Sequence, residues 1–157
     1  MQTAYFGTPI GVAEITGDKD GISSISILDS KPQISTVIPE ILQVAAAELH
    51  EYFTGNRHHF TFSLNPSGTA FQRKVWQALI EIPFGKTMSY MELSKKLGDV
   101  KAIRAVASAN GKNLLWIVVP CHRVIGTNGS LTGYAGGLWR KKWLLDHESP
   151  SQQQILL

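Results

Sequence analysis

Apolar residues in the first sixty positions fall into short runs separated by turn chemistry. Ile10–Ile15 and Ile22–Leu28 flank Gly17-Asp18-Lys19-Asp20-Gly21, a pattern that predicts a hairpin. From Glu40 to Phe53 the rhythm changes: Ile41, Val44, Ala45, Leu49 and Phe53 recur at helical spacing, and Gly55 follows where a helix would stop. Phe60, Phe62 and Leu64 then alternate like one more strand. The expectation is an α/β N-terminal domain, a small sheet plus a helix, over residues 1–65, with Asn65-Pro66-Ser67-Gly68 as the linker.

Beyond the linker the pattern is helical, which predicts a mainly α-helical C-terminal domain over 66–157. Thr69 and Gln72 stand in capping-box spacing ahead of Phe71, Val75, Trp76 and Leu79, and Pro83-Phe84-Gly85 ends that helix. Ser89 and Glu92 form a second capping box, so a short helix is expected from about Tyr90 to Leu97, stopping at Gly98. Asp99 can cap a third helix running to about Asn110, and two short helices about a Gly-containing turn have the arrangement of a helix-turn-helix. In the third helix Val100, Ile103, Val106 and Ala107 are expected to face the core, and Lys101, Arg104 and Ser108 another face, with Ala102, Ala105 and Ala109 beside them. Small residues next to cations would allow close approach to a nucleic-acid groove, but alanine's helix propensity explains the pattern alone somewhat better. Leu115–Val119 reads as a buried strand, and Leu138–Glu148 as a final amphipathic helix with Leu138, Lys142 and Leu145 on one side.

Composition narrows the setting. At 157 residues, 43% hydrophobic and 17% charged, the chain has the balance of a globular protein of one or two domains, with disorder expected only in the Ser149–Leu157 tail. The longest apolar run, Leu114–Val119, is far too short to span a membrane, and no signal sequence is recognisable. A single cysteine excludes an internal disulfide and thiolate-rich zinc sites, which fits a soluble protein of a reducing cytoplasm. Charge is uneven: residues 1–66 carry three Lys or Arg against seven Asp or Glu, and residues 67–157 carry twelve against five. The basic half suits a polyanionic partner, although solvated surfaces also look like this.

The candidate chemistry centres on that cysteine. A thiol attacks as thiolate and needs a base or a positive field, and Cys121 has His122 and Arg123 directly beside it, with Pro120 before it. On these residues alone, a buried cysteine beside a histidine is more often packing than nucleophile.

The segment Pro120-Cys121-His122-Arg123-Val124, followed by Ile125-Gly126 and Gly133-Tyr134-Ala135-Gly136-Gly137-Leu138, resembles the active-site signature of the O6-alkylguanine-DNA alkyltransferases, or methylated-DNA–protein-cysteine methyltransferases. Gly68-Thr69, Phe71-Gln72, Val75-Trp76, Ile82-Pro83-Phe84-Gly85, Ser89-Tyr90 and Arg104-Ala105-Val106 fit the same family. The resemblance is dense from Gly68 to Glu148 and loose before it, where only Tyr52-Phe53-Thr54-Gly55 looks similar.

The resemblance implies a single-turnover repair reaction in which an alkyl group passes from O6 of guanine in double-stranded DNA to the protein, with activity on O4-alkylthymine as an extension. It makes Cys121 the acceptor, His122 the base acting through water, Glu148 the carboxylate orienting the imidazole, and Tyr90 the proton donor to the guanine ring. The target nucleotide would be flipped out, with Arg104 filling the stack as a finger and the second helix of the helix-turn-helix in the minor groove. Lys101, Ala102, Ala105, Ser108 and Arg123 would contact DNA, and Val124, Tyr134, Ala135 and Gly136 would line the base pocket. Asn113 would tie the recognition helix to the active-site strand.

Leu114 stands where the family commonly has proline, and Trp116 where a smaller residue is frequent, which bears on pocket width and hinge stiffness. No cofactor or metal is called for, the three histidines His50, His58 and His59 read as surface residues, and the protein is expected to act as a monomer away from membranes. Relatives that bind alkylated DNA without reacting usually carry tryptophan at the cysteine position, so Cys121 argues for the reactive branch.

Overall fold

The computed structural model describes residues 1–149, so the tail expected to be disordered lies outside the described residues from Pro150 onward. The chain divides into two compact units: Met1–Ser67 with Leu114–Trp116, and Gly68–Asn113 with the chain from Ile117 onward.

In the first unit, β1 (Gln2–Thr8), β2 (Gly11–Asp18) and β3 (Gly21–Leu28) form an antiparallel sheet in the order β1-β2-β3. The expected hairpin lies between β2 and β3. There Asp18 accepts the Asp20 N–H at 2.8 Å, and Gly21 takes φ 136°, a value closed to most side chains. Alternate residues Ala13, Ile15, Ile25 and Ile27 are buried, and helix α1 (Glu40–Phe53) packs on β1 and β2 through Leu42, Ala45, Leu49 and Tyr52. Ile41 and Val44, expected inside, are exposed; the apolar stripe is rotated by one position, with Glu48 drawn inside. Glu48 explains why Phe60–Leu64 is not the expected strand. Its carboxylate accepts the Thr61 N–H at 2.8 Å, and only Leu64 makes a bridge, to Ile22.

The expected strand Leu115–Val119 is also absent as such. The Ile25 N–H donates to Leu114 O at 2.8 Å and the Trp116 N–H to Ile25 O at 3.0 Å, giving one bridge at Leu115. A turn follows over Trp116–Val118, with Ile117 at φ 75°. A β-branched residue in this region is strained, and the burial of Ile117 holds it there.

The second unit is helical. Both expected capping boxes are present, at Thr69/Gln72 opening α2 (Ala70–Ile80) and at Ser89/Glu92 opening α3 (Tyr90–Lys96). Gly98 at φ 89° ends α3; Asp99 then accepts the Lys101 N–H, and a 3-10 turn at Val100–Ala102 leads into α4 (Ile103–Gly111). The core face of α4 is Val106, Ala109 and Asn110, with Ile103 and Ala107 half-buried; Val100, expected inside, is exposed because the 3-10 turn shifts its phase. The Trp76 indole N–H donates to Ala109 O at 2.9 Å and fastens α2 to α4. A two-residue parallel pairing of β4 (Met88–Ser89) with β5 (Val124–Ile125) places the start of α3 beside the turn that carries Cys121.

The last helix, α5 (Leu138–Glu148), has the expected bounds but a different inner face. Arg140, Lys141, Leu144 and Glu148 are buried, while Leu138 and Lys142 are exposed.

Candidate functional site

Cys121, His122 and Arg123 occupy a single 3-10 turn, all buried. The Cys121 N–H donates to Val119 O at 2.8 Å and the Arg123 N–H to Pro120 O at 3.0 Å. The turn sends His122 and Arg123 to one carboxylate at the end of α5. His122 Nε2 lies 2.7 Å from Glu148 Oε2, while Arg123 donates from Nε to Oε1 at 2.7 Å and from Nη2 to Oε2 at 3.1 Å. Arg123 Nη1 also donates to Ile82 O at 2.6 Å. Expected at the DNA surface, Arg123 is instead only 6% exposed, its fork spent on Glu148 and a carbonyl, so it has no reach to a phosphate.

Burial alone would raise the Glu148 carboxyl, but His122 and Arg123 outweigh it and hold the group well below the usual carboxylate range. For His122 burial prevails over the attraction of Glu148, so the imidazole is neutral at physiological pH. With Nε2 facing the carboxylate, Nδ1 has no protein partner among the described residues. Burial also pushes the Cys121 thiol up to about 11, opposed by a hydrogen bond from Asn113 and the charge of Lys141. The resting cysteine is therefore a thiol next in sequence to a neutral imidazole. Asn113, just past α4, donates from Nδ2 to Val119 O at 2.8 Å, so it touches both the thiol and the backbone leading to it.

A cavity of about 490 Å³ opens between α4 and the loop before α5. Tyr90, Arg104 and Asn110 line one side, and Thr132, Gly133, Tyr134 and Ala135 the other. Cys121 is buried and is not on this lining, but a thiolate there would raise the pKa of both Tyr90 and Tyr134 on the wall. The Tyr90 hydroxyl donates to Thr132 O at 3.3 Å, and burial raises its pKa above the ordinary value. Of the four residues expected to line the pocket, Tyr134 and Ala135 do so. Val124 is fully buried in β5, and Gly136 is buried with its carbonyl accepting from Arg140 Nη1 at 3.0 Å. Leu114 and Trp116 do not line the cavity.

Three polar residues of the site have no counterpart in the sequence reading. Lys141 is fully buried and donates from Nζ to Thr132 O at 2.8 Å and Gly133 O at 3.3 Å, with its charge 5.9 Å from the centre of the Tyr90 ring. Arg140 supports the same loop from behind and stacks on exposed Trp139 at 4.5 Å. Asn110 stands near enough to the Tyr90 hydroxyl to lower that group's pKa. A lysine or arginine in an amphipathic helix is normally solvated, so the only available signal was their place directly after the glycine-rich loop.

On the outer side, Lys101, Arg104, Ala105 and Ser108 are exposed along the 3-10 turn and α4, with Ala102 half-exposed. Lys95 and Lys112 add exposed cations, whereas Lys96 is paired with Glu81 at 2.6 Å. His50, His58 and His59 are exposed on the first unit.

Residues 70–150 match the family model described as 6-O-methylguanine DNA methyltransferase, DNA binding domain. A methylated-DNA–protein-cysteine methyltransferase of Methanosarcina acetivorans is 44% identical over 155 residues, spanning 94% of this chain and 98% of its own. Among solved structures, Mycobacterium tuberculosis OGT in complex with DNA aligns with a TM-score of 0.86 at 37% identity, covering all of both chains. The M. tuberculosis O6-methylguanine methyltransferase aligns at 0.82 and 37%, covering 99% of this chain and 100% of its own.

Proposed function

The chain belongs to the 6-O-methylguanine DNA methyltransferase family, and from that membership we propose how its own residues carry the reaction. The protein repairs DNA by direct reversal, moving an alkyl group from O6 of guanine to its cysteine. The observation that carries the assignment to residues is the sole cysteine, buried and next in sequence to a histidine that has one nitrogen without a partner among the described residues and gives the other to a carboxylate.

In this reading the Cys121 thiol passes its proton through a solvent molecule to His122 Nδ1, and Glu148 stabilises the imidazolium. Sulfur then bonds the alkyl carbon as the carbon–O6 bond breaks and its electron pair returns to guanine. The Tyr90 hydroxyl supplies a proton to the ring, and the proton taken up by His122 completes the balance. The product thioether is a poor leaving group, and among the described residues none beside it is placed to displace it, so one molecule of protein repairs one lesion.

The target base must leave the duplex to reach a buried thiol. We assign α3, the Leu97–Asp99 turn and the segment from Val100 through α4 as a helix-turn-helix whose second element faces the minor groove, with Arg104 entering the stack. Support comes from the exposed Lys101, Arg104, Ala105 and Ser108 on one face, and from Arg104 also standing at the rim of the cavity. Among the described residues no helix is long and apolar enough to cross a membrane, and the cytoplasm is proposed as the site of action.

Intact-mass measurement after incubation with O6-methylguanine duplex tests the assignment. One methyl group mapped to Cys121, with the reaction stopping at one equivalent, is the expected result; methyl transfer elsewhere, or sustained turnover, overturns it.

A further inference from the structure

Asn110 is 4% exposed at the end of α4, and it lines the cavity together with Tyr90. Its Oδ1 is buried and has no partner among the described residues, while the side chain stands near enough to the Tyr90 hydroxyl on the shared cavity wall to lower that group's pKa. A carboxamide that lowers the pKa of a phenol acts on it as a donor, so with Oδ1 unpartnered it is Nδ2 that serves the phenolic oxygen. A carboxamide held this way is a poor choice for packing: leucine has similar volume and would leave no acceptor stranded. What the carboxamide provides, and leucine could not, is a fixed donor to the oxygen of Tyr90.

The geometry gives that donor a use. The hydroxyl proton of Tyr90 points to the carbonyl of Thr132 at a long 3.3 Å, so it is weakly held and free to swing toward a base in the cavity. An amide donating to the same oxygen keeps the ring in place during that swing and stabilises the phenolate that forms as the proton leaves. We propose that Asn110 is a positioning residue for the transfer reaction, anchoring the Tyr90 hydroxyl so that its proton is delivered to the flipped guanine. The proposal rests on the reading of Tyr90 as proton donor and acts only through it.

The test is a double-mutant cycle in single-turnover transfer from O6-methylguanine duplex, using Asn110→Leu, Tyr90→Phe and the pair, with duplex affinity and melting temperature measured on each. Asn110→Leu should slow transfer roughly tenfold, the worth of about one hydrogen bond in the transition state. Duplex affinity should be unchanged and the melting temperature equal or higher, because a stranded acceptor has been removed. In the Tyr90→Phe background the same substitution should have no further effect. A wild-type rate for Asn110→Leu, or an undiminished loss in the Tyr90→Phe background, overturns the proposal while leaving Tyr90 as donor. A wild-type rate for Tyr90→Phe overturns the donor reading itself, and the proposal with it. Asn110→Ala repeats the cycle should leucine prevent folding, with the same outcomes deciding.

Discussion

His122 Nε2 sits 2.7 Å from Oε2 of Glu148 with both side chains almost wholly buried, and this one contact determines which imidazole nitrogen is left without a partner among the described residues. The carboxylate is held in place by the fork of Arg123 as well, so the ring cannot turn without breaking a buried three-residue network.

Replacing that carboxylate separates its two duties. Glu148→Gln should slow transfer from O6-benzylguanine by about 10²–10⁴, because the imidazolium loses its counter-charge. It should also cost about 3–5 kcal/mol of stability, because Arg123 remains buried without a partner charge. Urea unfolding measured beside transfer kinetics checks both. A folded variant with undiminished transfer would remove Glu148 from the mechanism.

The buried thiol makes stability fall at alkaline pH. Free cysteine ionises near 8.5, whereas Cys121 is pushed up to about 11, so in between the unfolded chain releases a proton that the folded chain retains. The unfolded state then binds fewer protons, and stability drops as pH rises. Between pH 8 and pH 10 the wild-type protein should lose about 2 kcal/mol more than Cys121→Ala. Parallel denaturant curves for the two proteins would show otherwise.

Lys141 is the buried cation that favours the thiolate. Lys141→Met should move the pH–rate profile for transfer upward by about one unit and slow transfer about tenfold at neutral pH. If only the rate changes and the profile stays in place, the lysine acts through the carbonyls of Thr132 and Gly133 alone.

Arg104 is exposed at the cavity rim, where it can fill a stack but touches none of the reacting groups. Arg104→Ala should therefore slow repair of duplex DNA far more than transfer from free O6-benzylguanine, since only the duplex requires base flipping. Equal losses on the two substrates would remove the finger role.

An alkyl group on Cys121 adds volume where the residue is 6% exposed and where Asn113 links the thiol to Val119 at the end of α4. Overfilling such a site costs about 1–3 kcal/mol. At roughly 2–4 °C per kcal/mol for a chain of this size, the alkylated protein should melt several degrees lower, benzyl below methyl, and be cleaved more readily near Asn110–Leu114. Matched thermal melts of the three forms decide; coincident curves would mean that the site has slack.

Read alone, the sequence determined whatever depends on neighbours in the chain. The capping boxes at Thr69/Gln72 and Ser89/Glu92, the stop at Gly98 and the turn at Asp18–Gly21 all appear where the spacing placed them, because a cap or a turn needs only three or four consecutive residues. The juxtaposition of Cys121 and His122 was equally plain. Tertiary structure decided which polar groups are buried and what each one faces. Phe60–Leu64 lost its strand because Glu48, thirteen residues before Thr61, takes the Thr61 N–H. Leu115–Val119 lost its own because Ile25 offers a single pair of ladder bonds and Ile117 then turns the chain. Arg123 was expected at the DNA surface and nothing was expected of Arg140 or Lys141, yet Glu148 and the carbonyls of Ile82, Gly136 and Thr132 draw the three inside. Hydrophobic periodicity records the cost of burying a charge but carries no information about the partner that offsets it, and that partner exists only once the chain has folded.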